Sequence, residues 1–220
     1  KELYATVSDF VWNDKNENGV QDPGEEGIPG ITVQVYDAIT KVLVAQQNTN
    51  ALGMYEFNTL LPGEYYIKVI LPSGWLFTTP NAGNAAKDSD INGSNGPGTS
   101  STFNLSGGEI NSTVDVGLVK CISVSGTVFF DINKNGYIDN GEKGINGLDV
   151  YLYEAVTNKL VAKVRTSAKP GTASDDGYYQ FPCIYAGSYY VLFERLDNLA
   201  ATLPNAGPND NIDSDITHEN

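Results

Sequence analysis

Two stretches of this chain carry residues whose types and spacing could do chemistry. They read "DKNENGVQDPGE" (14–25) and "DINKNGYIDNGE" (131–142). In the first, Asp14, Asn16, Asn18, Asp22 and Glu25 occupy positions 1, 3, 5, 9 and 12, with Gly19 at 6 and Val20 at 7. In the second, Asp131, Asn133, Asn135, Asp139 and Glu142 take the same places, with Gly136 at 6 and Tyr137 at 7. This is the ligand spacing of an EF-hand calcium loop, which also takes the backbone carbonyl of position 7 and a two-oxygen grip from the closing glutamate. Val and Tyr are equally suitable at position 7, because only the main chain acts there. Glycine at 6 permits the sharp turn. Every donor is oxygen, which suits a hard cation. Calcium accepts six to eight oxygens in loose geometry, whereas magnesium demands a tight octahedron and retains water. Ca2+ is therefore the expected ion. A single match could be an Asn-Gly turn; two matches at corresponding places of a repeat point to metal.

Other acids are candidates for the same chemistry. Asp88 and Asp90 form a D-x-D pair, as do Asp213 and Asp215. Asp37 closes a strand-like run, and Glu154 stands at its counterpart. These are either further calcium ligands or solvated loop acids. Catalysis is not expected. The single histidine, His218, leaves no Ser-His-Asp or Cys-His arrangement. Paired acids could serve a glycosidase, but here they read as metal ligands. No glycine-rich loop opens a helix, so no phosphate site is expected. Trp12 and Trp75 either stack on a sugar or anchor a strand and a loop.

The bulk numbers narrow the partners. Against 13 Lys and Arg stand 27 Asp and Glu, a net charge of −14 over 220 residues. A phosphate backbone or an anionic membrane surface would repel such a chain, so neither nucleic acid nor direct membrane contact is expected. No stretch approaches 20 apolar residues. No signal peptide opens the chain, which reads as a mature or excised piece. Cys121 and Cys183 match no zinc or redox spacing and are either one disulfide or two buried thiols. A disulfide would favour an oxidising, extracellular setting. Asn92, Asn104 and Asn111 each begin an N-x-S/T sequon, open to glycosylation in a eukaryotic secretory route.

The elements that position these residues are strands. Aligning Asp14 with Asp131 pairs Gly30 with Gly147, Tyr36 with Tyr153 and Thr40 with Thr157. After an insertion near "SAKPGTA", Gly53, Tyr55 and Phe57 meet Gly177, Tyr179 and Phe181. "LFTTPNAG" (76–83) answers "AATLPNAG" (200–207), and "DSDI" (88–91) answers "DSDI" (213–216). Two copies of one module are present, 1–119 and 120–220, with a short seam near Lys120. "ITVQVYD" and "LDVYLYE" alternate with period 2, "GEYYIKVIL" and "GSYYVLFE" are β-branched and aromatic, and turn residues bound them. No amphipathic helix is visible. The expectation is all-β, two tandem β-sandwiches of two packed sheets each. After "DSDI" the first copy continues as "SSTFNLSGGEINSTVDVGLV", which reads as two strands about a Gly107–Gly108 turn. The second copy has no such tail. Either a longer array has been cut, or a neighbouring chain donates strands to an open edge.

The loop with its flanks, "WNDKNENGVQDPGEEGIPGITVQVYD" and "FDINKNGYIDNGEKGINGLDVYLYE", resembles the B-type repeats of serine-aspartate-repeat surface adhesins. The later "GMYEF", "LPGEYYIKV" and "DSD" blocks fit as well, and similar repeats occur in colossin-type extracellular proteins. The resemblance covers nearly the whole chain. It implies transthyretin-like (prealbumin-like, Ig-like) sandwiches of the collagen-adhesin B class, with several calcium ions per module. It implies a stalk or spacer on a cell surface, with neighbouring repeats of the same protein as partners. Relatives in the wider class carry a Lys–Asn isopeptide bond between first and last strands. "ATVSDFVW" and "VSGTVFF" contain no lysine and "TVDVGLV" no asparagine, so no such bond is expected here. The rival readings are a carbohydrate- or protein-binding module and a strand-exchanging filament subunit.

Overall fold

The fold was taken from a computed structural model, which describes residues 3–197, 199–206 and 212–216. His218 lies outside the described residues. The chain divides into two units, Lys1–Cys121 and Ile122–Asn220. Both are all-β, and no helix occurs among the described residues.

Unit 1 is a sandwich of two sheets. One sheet contains β1 (Ala5–Asn13), β4 (Met54–Leu60), β6 (Trp75–Phe77), β8 (Ile110–Asn111) and β9 (Val116–Lys120), in the order β4-β1-β9-β6 with β8 also on β1. The other runs β3-β2-β5-β7, from Leu43–Asn48, Thr32–Asp37, Gly63–Ile70 and Phe103–Leu105. Period-2 alternation decides which side chains enter. Val33 and Val35 of β2 and Ile67 and Val69 of β5 face Val7, Val11, Tyr55 and Phe57 of the opposite sheet across one continuous core. β1 meets β4 antiparallel and β9 parallel, so its backbone is paired on both sides.

Unit 2 repeats part of this plan. β10 (Ile122–Thr127) pairs antiparallel with β13 (Tyr178–Ile184), and β11 (Asp149–Glu154) lies between β12 (Leu160–Arg165) and β14 (Tyr189–Phe193). Val150, Leu152, Phe181 and Ile184 are buried between them. The copies agree down to their irregularities. The register of β1 on β4 shifts between Ala5 and Val7, and that of β10 on β13 between Ile122 and Val124. The β2–β3 shift at Val35/Tyr36 recurs at Leu152/Tyr153. Such bulges are specific features of a strand rather than noise. Among the described residues, unit 2 has no counterpart of β7 to β9.

The first copy's tail differs from the two strands expected of it. It forms three, and they join different sheets: β7 extends the β5 edge, while β8 and β9 lie parallel to β1. The break between β8 and β9 is an Asx turn, in which the Thr113 N–H and hydroxyl both donate to Asn111 Oδ1 at 3.0 Å. Both cysteines are disulfide-bonded.

Candidate metal centre

Strand β1 delivers the first loop to its place. The Asp14 N–H donates to Leu118 O on β9, and Asn13 N–H to Glu26 O beyond the loop, so both loop ends are tied to the sheet. Inside, the Asp14 carboxylate is almost fully buried. Its Oδ2 accepts from Gly19 N–H at 2.8 Å and from the Thr78 hydroxyl at 2.5 Å, while Oδ1 has one long contact, 3.3 Å from Asn18 N. Asn16 and Asn18 turn their amide groups on Asp22 Oδ2, both at 2.8 Å. Their carbonyl oxygens accept from Asn18 N and Val20 N, one bond each, which leaves each a second lone pair. Glu25 closes the circle, accepting from Lys15 N at 2.8 Å and Asp22 N at 3.0 Å.

The second loop repeats the pattern. Asp131 Oδ2 accepts from Gly136 N at 2.8 Å and from the Thr202 hydroxyl, with Asn135 N at 3.2 Å from Oδ1. Asn133 and Asn135 donate to Asp139 Oδ2 at 2.8 Å, and Glu142 takes Ile132 N and Asp139 N. Position 4 is left-handed in both copies, with Glu17 and Lys134 each at φ 61°. Two non-glycine residues held there at corresponding places mark a conformation imposed by the loop. The donor set fits a hard cation: three carboxylates, two amide carbonyls and a backbone carbonyl per loop. Among the described residues, no three Asp, Glu, His or Cys side chains are gathered closely enough to hold a metal by themselves. Any ion here relies on the Asn and main-chain oxygens as well.

The loops are pinned from outside by the D-S-D segments. Ser89 N–H donates to Gly19 O and Ser214 N–H to Gly136 O; Val20 bridges Asp88, and Tyr137 bridges Asp213. Asp88 accepts from Gly83 N at 3.0 Å. Ser89 Oγ accepts from Gly117 N, which joins this segment to β9. Two residues further on, Asp90 turns to other company. Its backbone pairs with Asp115, and its Oδ2 accepts from Asp115 N at 2.9 Å. Asp9 of β1 accepts from Val114 N at 2.8 Å, and its carboxyl lies beside that of Asp115. Asp115 is 2% exposed, and its Oδ2 has no hydrogen-bond partner. Burial first, and then the Asp9 carboxyl, push Asp115 up to about 9. Burial likewise raises Asp90 to about 7. Thus the D-x-D pair is divided between two neighbourhoods. At the second copy's equivalent of Asp9 stands Gly126, so that triad is specific to unit 1.

Asp37 caps the β2–β3 turn, accepting from Ile39 N, Thr40 N and the Thr40 hydroxyl, and the Thr40 bonds hold it below the usual carboxylate range. Glu154 receives the Thr157 hydroxyl at the matching turn. Asp215 follows Ser214 in the segment that pins the second loop. Of the aromatic candidates, Trp12 is fully buried; Trp75 packs partly into the unit 1 core with the Lys120 ammonium 5.5 Å from its ring. The sequons scatter: Asn92 in a loop bonded to Ser101, Asn104 in β7 and Asn111 in β8. Asp9, Asp115, Thr78 and Thr202 escape the sequence reading. The only local signal for Asp9 and Asp115 is an acid set among inward-facing valines; the threonines have none beyond recurrence in "TTPNAG" and "TLPNAG".

The sequence profile of the SdrD B-like domain matches residues 5–118 and 122–220. Serine-aspartate repeat-containing protein F of Staphylococcus epidermidis (strain ATCC 12228) is 34% identical over 217 residues, 98% of this chain and 12% of the relative. Serine-aspartate repeat-containing protein D of Staphylococcus aureus (strain Newman) is 36% identical over 214 residues, 96% of this chain and 15% of the relative. The chain thus spans less than a sixth of the length of these relatives. A streptococcal ancillary pilin superposes over 91% of this chain and 57% of the pilin at 11% identity, with a TM-score of 0.41. That overlap is too loose to carry an argument.

Proposed function

The chain belongs to the SdrD B-like domain family, and from that premise we propose that its two modules are calcium-stabilised spacers of a large extracellular surface protein. The observation that carries the reading is duplication. Two loops 117 residues apart share ligand types, turn geometry and the same outside contacts, a threonine on the first carboxylate and a D-S-D serine on the loop glycine. Asp14, Asn16, Asn18, Asp22, Glu25 and the Val20 carbonyl would hold one ion; Asp131, Asn133, Asn135, Asp139, Glu142 and the Tyr137 carbonyl would hold the other. Bound calcium supplies positive charge among acids that otherwise repel one another. The chain's own contribution is to tie the first loop's ends to β1 and β9, to close the second loop from Phe130 N–H to Lys143 O, and to fix the first carboxylate of each. An ion that binds only the folded state stabilises it by mass action. Modules of this affinity class, roughly 10⁻⁴ to 10⁻³ M, are partly filled at extracellular calcium levels. Neighbouring repeats of the same protein are the natural partners. Full burial of Trp12 removes one of the two rings that could have stacked on a sugar, which favours the spacer over a lectin-like module.

The test is thermal unfolding with and without chelator. At a free calcium of about 100 times the dissociation constant, each site adds about 2.7 kcal/mol to its module. The melting temperature should fall on chelation, and protease cleavage should accelerate. Identical melting curves in excess chelator and in calcium would sink the proposal.

A further inference from the structure

Each loop's first carboxylate is held by a residue far outside the loop. Thr78 stands 64 residues from Asp14 and Thr202 71 residues from Asp131, yet each donates its hydroxyl to the Oδ2 of that aspartate. The same oxygen accepts the N–H of the loop glycine, Gly19 or Gly136. Oδ2 is thereby saturated, and the other oxygen, Oδ1, is left with one contact longer than 3.1 Å in both copies. Thr78 is itself buried and tied to the sheet, its N–H donating to Gly117 O while Asp14 N–H donates to the next residue's carbonyl, Leu118 O. A carboxylate held by two donors on one oxygen cannot rotate without losing both. Its free oxygen therefore has one direction.

We infer that Thr78 and Thr202 are positioning residues for the two cation loops: each hydroxyl locks the first ligand so that Oδ1 is presented to the ion, and Thr78, bonded through its N–H to Gly117 of β9, also couples the first loop's occupancy to the sandwich. The inference rests on the calcium reading above. The ion and the hydroxyl act on opposite oxygens of one carboxylate, so they do not compete. The arrangement arises twice in contexts that otherwise differ, since Thr79 follows in one copy and Leu203 in the other.

The experiment is calcium titration calorimetry on the full 220-residue chain, with Thr78→Val, Thr78→Ser and Thr202→Val compared to the parent. Losing a hydrogen bond to a charged group should weaken one site about tenfold in each Val variant. Thr78→Ser, which retains the hydroxyl, should recover most of that loss. A merely structural threonine predicts otherwise: an equal fall in melting temperature in chelator and in calcium, with affinity unchanged. Unchanged affinity in both Val variants, or a Ser variant as weak as Val, overturns the inference while leaving the calcium reading intact. A parent chain that binds no calcium overturns both.

Discussion

Gly19→Ala tests whether the first loop is docked on its sandwich as described. Gly19 sits at φ 80°, and a Cβ there would stand 2.3 Å from the Thr79 carbonyl oxygen and 2.7 Å from Ala82 Cβ. A left-handed alanine costs about 1–2 kcal/mol. Forcing a methyl group against backbone that cannot yield adds about 1–3 kcal/mol. The sum is roughly 2–5 kcal/mol. Gly24→Ala is the internal control: its φ is 95°, but nothing lies within 4 Å, so only the backbone cost of about 1–2 kcal/mol applies. The assay is guanidinium unfolding in chelator, followed by tryptophan emission. Both tryptophans, Trp12 and Trp75, lie in unit 1, so the signal reports that unit. Because calcium is absent, the difference measures docking and not ion binding. If Gly19→Ala loses no more stability than Gly24→Ala, the loop does not rest on the 78–82 segment.

Asp115 makes stability depend on pH. Its folded value of about 9 lies above the ordinary 3.8, so the folded state keeps a proton that the unfolded state releases between those values. Its contribution is full below about 3.8 and is lost as pH rises towards 9, at up to about 1.4 kcal/mol per pH unit for one proton. Unit 1 in chelator should weaken from pH 5 to 9, and Asp115→Asn should flatten that decline; equal slopes in the denaturant midpoints would contradict it. In unit 2, Phe181 is 1% exposed and meets Tyr179 edge-on at 6.1 Å. Phe181→Ala should cost about 3–5 kcal/mol, visible as a lowered circular-dichroism melt, and a loss under 1 kcal/mol would mean that this core is not packed as described.

Short-range patterns carried much of this molecule. The strands at Thr32–Asp37 and Asp149–Glu154 follow from alternation, because one face of a pleated strand must be apolar. The candidate ligands were legible in the spacing, because alternate residues of one twelve-residue stretch can turn towards a common point. Duplication then made each copy a check on the other, down to bulges at Ala5/Val7 and Ile122/Val124. The family was legible for the same reason, since its motifs are local.

What the sequence left open is what distant segments do to one another. Asp88 and Asp90 look alike as a pair, yet one lies against the calcium-type loop and the other against Asp9 and Asp115. That division exists only because β9 enters parallel to β1 and carries Asp115 with it. The same strand holds Thr78 beside Asp14, since Gly117 O takes the Thr78 N–H and Leu118 O the Asp14 N–H, although the Thr202–Asp131 pair forms with no such strand among the described residues. The spacing of residues in the sequence determined which oxygens could surround an ion. The parallel return of β9, fixed by burial of Val116 and Leu118 in a core assembled from the whole unit, decided which acids of unit 1 are left to share a buried proton, while the approach of a distant threonine in each unit decided which oxygen of the first carboxylate is left open.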